Sequence, residues 1–186
     1  MYRALMENRC PGFSAFPADS VWRKIVPSKI CFFIWTVAHN SILTQDKLKK
    51  RGWSLANRCD LCYTNEETNA HMLVDCIFTK QVWSIIRRSC RQSVFPSGND
   101  LDVILKNWPT DIPDSMEGWF VYCAFHAVCW CIWLERNNRI FNGISRNPDQ
   151  IVRKVLKNVA GWGVANGKID RLGAATWVRE RIRQIQ

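Results

Sequence analysis

Apolar positions recur at three- and four-residue spacing along nearly all of this chain, the period of an α-helix packed on one side. In "DSVWRKIVPSKICFFIWTVAHNSIL" Pro27 separates a short first helix from a longer apolar one over Lys29 to His39. "TQDKLKKRG" reads as a complete small helix, with Thr44 as N-cap and Gly52 positioned for a left-handed C-cap. "CDLCYTNEETNAHMLVDC", from Cys59 to Cys76, has no long period. "TKQVWSIIRRSCRQS" resumes the helical pattern, with Val82, Trp83, Ile85 and Ile86 on its apolar side. The Pro-, Gly- and Asp-rich stretch from Val94 to Ser115 reads as a connector holding one short helix at Leu101–Asn107.

A long helix is expected over Met116–Asn142. Asp114 and Glu117 at its start and Arg136 and Arg139 at its end suit the helix dipole, and Gly143 is its stop. Asn147 and Pro148 form a cap and first position for the next helix. The tail "ATWVRERIRQIQ" gives a last one, with Val178, Ile182 and Ile185 on one side. No strand pair and no internal repeat appears. The expected fold is all-α: an irregular helical domain with one structural zinc loop at residues 1–90, a connector at 91–115, and a helical C-terminal region at 116–186.

Composition sharpens this picture. Hydrophobic residues make up 47% of the 186, with ten Trp and nine Phe, so the chain can build a real core. The longest apolar run, Trp119 to Leu134, falls short of the ~20 residues of a membrane span and contains His126. A buried core helix with a satisfied histidine is expected, and no membrane association. The start "MYRALMENRCPGF" has no apolar signal-peptide region, which points to an intracellular, reducing compartment where thiols stay free or bind metal. The formal charge of +10 favours acidic partners, nucleic acid first.

Cys59, Cys62, His71 and Cys76 follow the spacing C-x2-C-x8-H-x4-C. Nine cysteines in this length give roughly 0.4 accidental C-x2-C pairs, so the pair alone is weak evidence. A His and a third Cys at closing distances make a four-ligand zinc shell, the type that structural zinc takes. A catalytic zinc would keep an open position. No H-E-x-x-H, His-x-Glu with Pro-Cys-x-x-Cys, Walker loop or G-x-S-x-G is present. Glu66 and Glu67 read as acids of a solvated loop, with Thr68 starting a helical turn. Cys31, Cys123, Cys129 and Cys131 sit in apolar helices as small buried hydrophobes, and Cys10 and Cys90 lack ligand spacing.

The surroundings of this cluster resemble the reverse-transcriptase zinc-binding domain of plant non-LTR, LINE-type retroelements. The likeness rests on Pro27, Lys29, Phe33 and Trp35; on Leu43, Thr44, Leu48, Arg51 and Gly52; on Cys59, Cys62, Glu67, Thr68, His71 and Cys76; and on Trp83. It covers residues 1 to 88, with "YRAL" like the end of the family's opening segment. "WCIWLERNNRIFNG" resembles a helix that follows it in such polyproteins. The resemblance implies one zinc ion and an accessory role beside a polymerase. No Asp-Asp pair for two-metal polymerisation and no spaced acidic set for ribonuclease H occurs, so the chain is expected to be no enzyme, a detached retroelement piece or a gene descended from one.

RNA or DNA is the expected partner. The span from Cys59 to Cys76 holds Asp60, Glu66, Glu67 and Asp75 and no Lys or Arg, so the loop itself should repel phosphate. Contacts are expected from Lys47, Lys49, Lys50, Arg51 and Arg58 before it and from Arg87, Arg88 and Arg91 after it, as one basic face if the zinc turn joins the flanks. Trp53 and Tyr63 could stack on bases, though packing is the expectation for both. A zinc-stabilised protein–protein interaction module and a non-functional remnant stay open as alternatives.

Overall fold

The computed structural model describes residues 16–89, 101–112 and 114–185, and among these all regular structure is helical. The elements are α1 (Ala18–Val21), α2 (Ser28–Ala38), α3 (Gln45–Lys50), a π-helical turn (His71–Asp75), α4 (Ile77–Arg88), α5 (Leu101–Asn107), α6 (Met116–Asn142), α7 (Pro148–Ala165) and α8 (Arg171–Arg183). The expected all-α architecture with a zinc loop between helices is the one observed. The expected boundary at residue 90 falls outside the described residues.

Helix α6 is the axis of the molecule. It packs against α2 and α7, and α7 in turn packs against α4 and α8. Phe120, Phe125, Ile132, Ile34, Ile86, Leu156 and Met72 are all fully buried in one core that joins the zinc-loop region to the C-terminal helices. By length and composition α6 could cross a membrane, but 72% of its most apolar window is buried inside this fold. His126 lies fully buried on α6, as expected, but only its Nε2 is satisfied, 3.1 Å from the Val21 carbonyl oxygen; its Nδ1 has no hydrogen-bond partner among the described residues. Val178 and Ile182 on α8 and Ile185 just after it lean on the core, and Trp177 meets Phe120 at 5.5 Å.

The helix ends follow their local chemistry. The Asn147 side chain accepts from the Gln150 backbone N–H, and the Gln150 side chain returns a bond to the Asn147 N–H, a full capping box. Gly143 ends α6 at φ +63, a conformation that glycine adopts without steric cost. Thr44 stands at the N-cap of α3, but its hydroxyl donates to Asp46 Oδ1 at 2.5 Å and makes no cap bond to the helix. The expected cap residue is therefore in place without the expected bond.

Candidate metal centre

The ligand positions are built from two tight turns. In the first, the Tyr63 N–H donates to the Cys59 carbonyl at 2.8 Å and the Cys59 N–H donates to the Asn65 carbonyl at 2.8 Å. Tyr63 closes this turn at φ +61, a conformation that a bulky side chain rarely takes. The second is the π-helical turn. Thr68 Oγ1 caps it by accepting from the His71 N–H at 3.1 Å, which matches the helical turn expected at Thr68. The Cys76 N–H reaches back five residues to the His71 carbonyl at 2.7 Å. This i→i+5 closure stacks His71 and Cys76 on one side of the turn, where an α-helical period would separate them. Helix α4 begins directly after Cys76.

These turns bring together the sulfurs of Cys59, Cys62 and Cys76 and a ring nitrogen of His71, all within 4.8 Å of one another. Cys59 Sγ and Cys76 Sγ are 3.9 Å apart, and Cys62 Sγ and His71 Nε2 are 3.4 Å apart. A tetrahedral zinc with bonds of about 2.3 Å to sulfur and about 2.0 Å to nitrogen sets these separations at about 3.8 and 3.5 Å. The donor set and its spacing fit one zinc ion, with four protein ligands closing the shell. Cys59 and Cys76 are fully buried, while Cys62 and His71 are half-buried. The hydrogen bond from Cys59 Sγ to Cys76 Sγ, together with burial, pushes the Cys59 thiol up, and the same bond lowers the Cys76 thiol below its ordinary value. The Thr64 hydroxyl donates to Cys62 Sγ at 3.2 Å.

Around the ligands lies a polar shell supplied by distant segments. Glu67 is fully buried, against the expectation of a solvated loop acid. Its carboxylate accepts from Arg136 Nη2 at 2.6 Å and Nε at 3.1–3.2 Å, and from the Gln45 N–H at 2.9 Å. Glu66 remains exposed, as expected. The Gln45 side chain bridges further, donating to Asp60 Oδ2 at 2.6 Å and accepting from the Arg58 N–H at 3.1 Å. Arg139 donates to the Asp60 and Leu61 carbonyls at 3.1 and 3.0 Å, to Glu135 at 3.0 Å and to the Arg146 carbonyl at 3.0 Å. Arg136 and Arg139 are thus more than complements to the dipole of α6. The sequence span from Cys59 to Cys76 lacks cations, but the fold sets two guanidinium groups against it. One pointer to this in the sequence is the i,i+4 pair Glu135–Arg139 at the end of an apolar helix, where unpaired charges would be costly.

The basic residues fall into two groups. Lys49, Lys50, Arg51 and Arg58 are exposed, while Lys47 is half-buried near Asp46 at 4.0 Å. Arg87 and Arg88 are exposed at the far end of α4, about 16 Å along the helix from the metal site at 1.5 Å per residue. There Arg181 of α8 donates to the Ser89 carbonyl, which brings a second basic helix end beside them. Arg91, Cys10 and Cys90 lie outside the described residues. Trp53 and Tyr63 do not pack: they are 65% and 52% exposed, and the Arg58 guanidinium sits 5.2 Å over the Tyr63 ring. Cys31, Cys123, Cys129 and Cys131 are buried as expected.

Residues 1–83 match the family described as zinc-binding in reverse transcriptase. The chain is also similar to an Arabidopsis thaliana protein named "Putative ribonuclease H protein", with 25% identity over 159 residues, or 83% of this chain and 24% of that protein. The chain therefore spans about a quarter of that relative's length. No solved structure matches.

Proposed function

We propose that this chain, with a zinc-binding segment of the reverse-transcriptase type at residues 1–83, acts as a nucleic-acid-associated accessory module of LINE-type retroelement descent. The observation that carries the reading is the exposed Tyr63 ring on the Cys59–Cys62 turn with the Arg58 guanidinium 5.2 Å over it. Trp53, Lys49, Lys50 and Arg51 also stand exposed on the segment leading into the turn. Aromatic rings stack on unpaired bases while basic side chains follow the phosphates, a combination suited to single strands. Zinc holds the turn in shape and has no position left for water. Thiolate ligands need a reducing environment, which fits an intracellular address.

The relative's name raises ribonuclease H as an activity. That chemistry needs carboxylates converging on metal ions. The two fully buried carboxylates among the described residues, Glu67 and Glu135, are engaged by Arg136 and by Arg139 and Arg146. Our reading is that the module binds without cleaving.

A salt titration of binding to single- and double-stranded RNA and DNA probes tests this. Replacing Lys49, Lys50 and Arg51 together by Gln should weaken binding and reduce the salt slope by about two to three units, about one for each phosphate that is no longer neutralised. An RNA–DNA hybrid incubated with Mg²⁺ should stay intact. Absence of probe binding at moderate salt, or cleavage of the hybrid, overturns the reading.

A further inference from the structure

Two peptide groups of the Cys59–Cys62 turn are held by one cation. Their carbonyls belong to Asp60 and Leu61, and both accept from Arg139 Nη1. The short turn they form carries the Cys59 sulfur at one end and the Cys62 sulfur at the other. The guanidinium is fixed in turn: its Nε donates to the fully buried Glu135 and its Nη2 to the Arg146 carbonyl, and the side chain is 8% exposed. It also lies 4.5 Å over the ring of Phe78, two residues after Cys76. One side chain from α6, 78 and 79 residues distant in sequence, thus touches the Cys59–Cys62 turn and packs beside the start of α4 that follows Cys76.

We infer that Arg139 tunes the zinc site through the backbone, by fixing the two peptides that join Cys59 to Cys62. Hydrogen bonds from a charged donor are the strong ones, and two from one guanidinium hold the turn in the shape that presents both sulfurs. Zn²⁺ with three thiolates carries a net −1, and Arg139 brings the opposing charge to a water-poor site. The expected consequences are tighter zinc retention and a less nucleophilic Cys59 sulfur. Arg139 donates to backbone carbonyls of the turn, so it is a positioning residue that works on the shape and charge of the knuckle. This inference rests on the zinc assignment and is independent of nucleic-acid binding.

The test compares Arg139→Gln with Val155→Ala in the full chain. Val155→Ala loosens the core at a fully buried position of α7 but leaves the hydrogen bonds of the knuckle alone. Zinc affinity from competition with a chelating dye should fall about 10- to 100-fold in Arg139→Gln, the usual effect of losing an outer-shell partner. In Val155→Ala it should stay within about threefold, below that range. In the Co²⁺-loaded proteins the sulfur-to-metal charge-transfer band should move to lower energy only in Arg139→Gln, and zinc release by an alkylating reagent should quicken there. Arg139→Lys keeps the charge but not the fork across two carbonyls. It should fall between wild type and Gln, and it carries the comparison if the Gln variant does not fold. Equal zinc affinity and an unmoved band in the Arg139 variants overturn the inference while leaving the zinc assignment standing. A wild-type chain that takes up neither zinc nor cobalt overturns the assignment itself.

Discussion

Arg136→Met should be among the most destabilising single changes in this chain. The Glu67 side chain is fully buried and that of Arg136 is 4% exposed, so their pair is shielded from water. The arginine gives the carboxylate a short bond from Nη2 and two longer ones from Nε; the other donor is the Gln45 N–H. Methionine fills much of the arginine's apolar volume but leaves Glu67 as a buried charge with one hydrogen bond. Removing one partner of a buried pair costs about 3–5 kcal/mol. At about 2–4 °C per kcal/mol for a chain of this size, Tm should fall by about 6 to 20 °C. Thermal unfolding followed by far-UV circular dichroism at pH 7 with excess zinc measures it. The double variant Glu67→Leu/Arg136→Met removes both charges and should recover part of the loss, so the two changes should be strongly non-additive. A Tm shift under about 3 °C for Arg136→Met, or additivity in the double variant, would refute this account of the join between loop and helix.

The zinc-loaded chain should contain one zinc, and Cys62→Ser or His71→Ala should remove it, as read by elemental analysis; full zinc in His71→Ala would contradict the ligand set. Chelation should add three thiols to those that react with a disulfide reagent, because Cys31, Cys123, Cys129 and Cys131 stay inert, burial having pushed Cys123 and Cys131 up to about 12; labelling of these four with the core intact would contradict their burial. Burial lowers His126 from 6.5 to about 3, so the unfolded state takes a proton that the folded state refuses. Stability is then fully present above pH 6.5 and falls by about 1.4 kcal/mol per pH unit below it, a decline that denaturant titrations should find shallower in His126→Gln than in wild type.

What was legible in the sequence follows from how local each signal is. The bounds of α6 and the start of α7 could be read because Gly143, Asn147 and Pro148 act within one turn of their own backbone. The zinc ligands could be read because metal geometry imposes short spacings. The burial of Glu67 could not. Its partner Arg136 lies 69 residues away, and nothing near Glu67 marks it as different from the exposed Glu66. The π turn was equally hidden, since nothing in the run His71–Cys76 marks a closure over five residues in place of the four of an α-helix. Trp53 and Tyr63 suggested packing because large aromatics usually pack, yet each sits in a turn whose backbone holds its ring away from the core.

The same distant contacts change how the loop should meet a polyanion. From sequence, Asp60, Glu66, Glu67 and Asp75 together make the zinc stretch repulsive to phosphate. In the fold Glu67 is neutralised by Arg136, Asp60 accepts from Gln45, and Asp75 lies 3.6 Å from Lys80. Glu66 is left as an exposed carboxylate, three residues from Tyr63 in the chain. The two glutamates should therefore behave in opposite ways. Glu66→Gln removes a screened surface charge and should leave Tm unchanged while tightening single-strand binding modestly at low salt, with the gain fading as salt rises. Glu67→Gln keeps most of the shape but strands the Arg136 guanidinium in the core, so it should lower Tm first and weaken binding only through the deformed loop. Melting curves and salt-titrated probe binding for the two variants decide the matter. If Glu66→Gln abolishes binding with an unchanged Tm, that carboxylate is itself a contact, and the cationic and aromatic surface beside it is not where the strand lies.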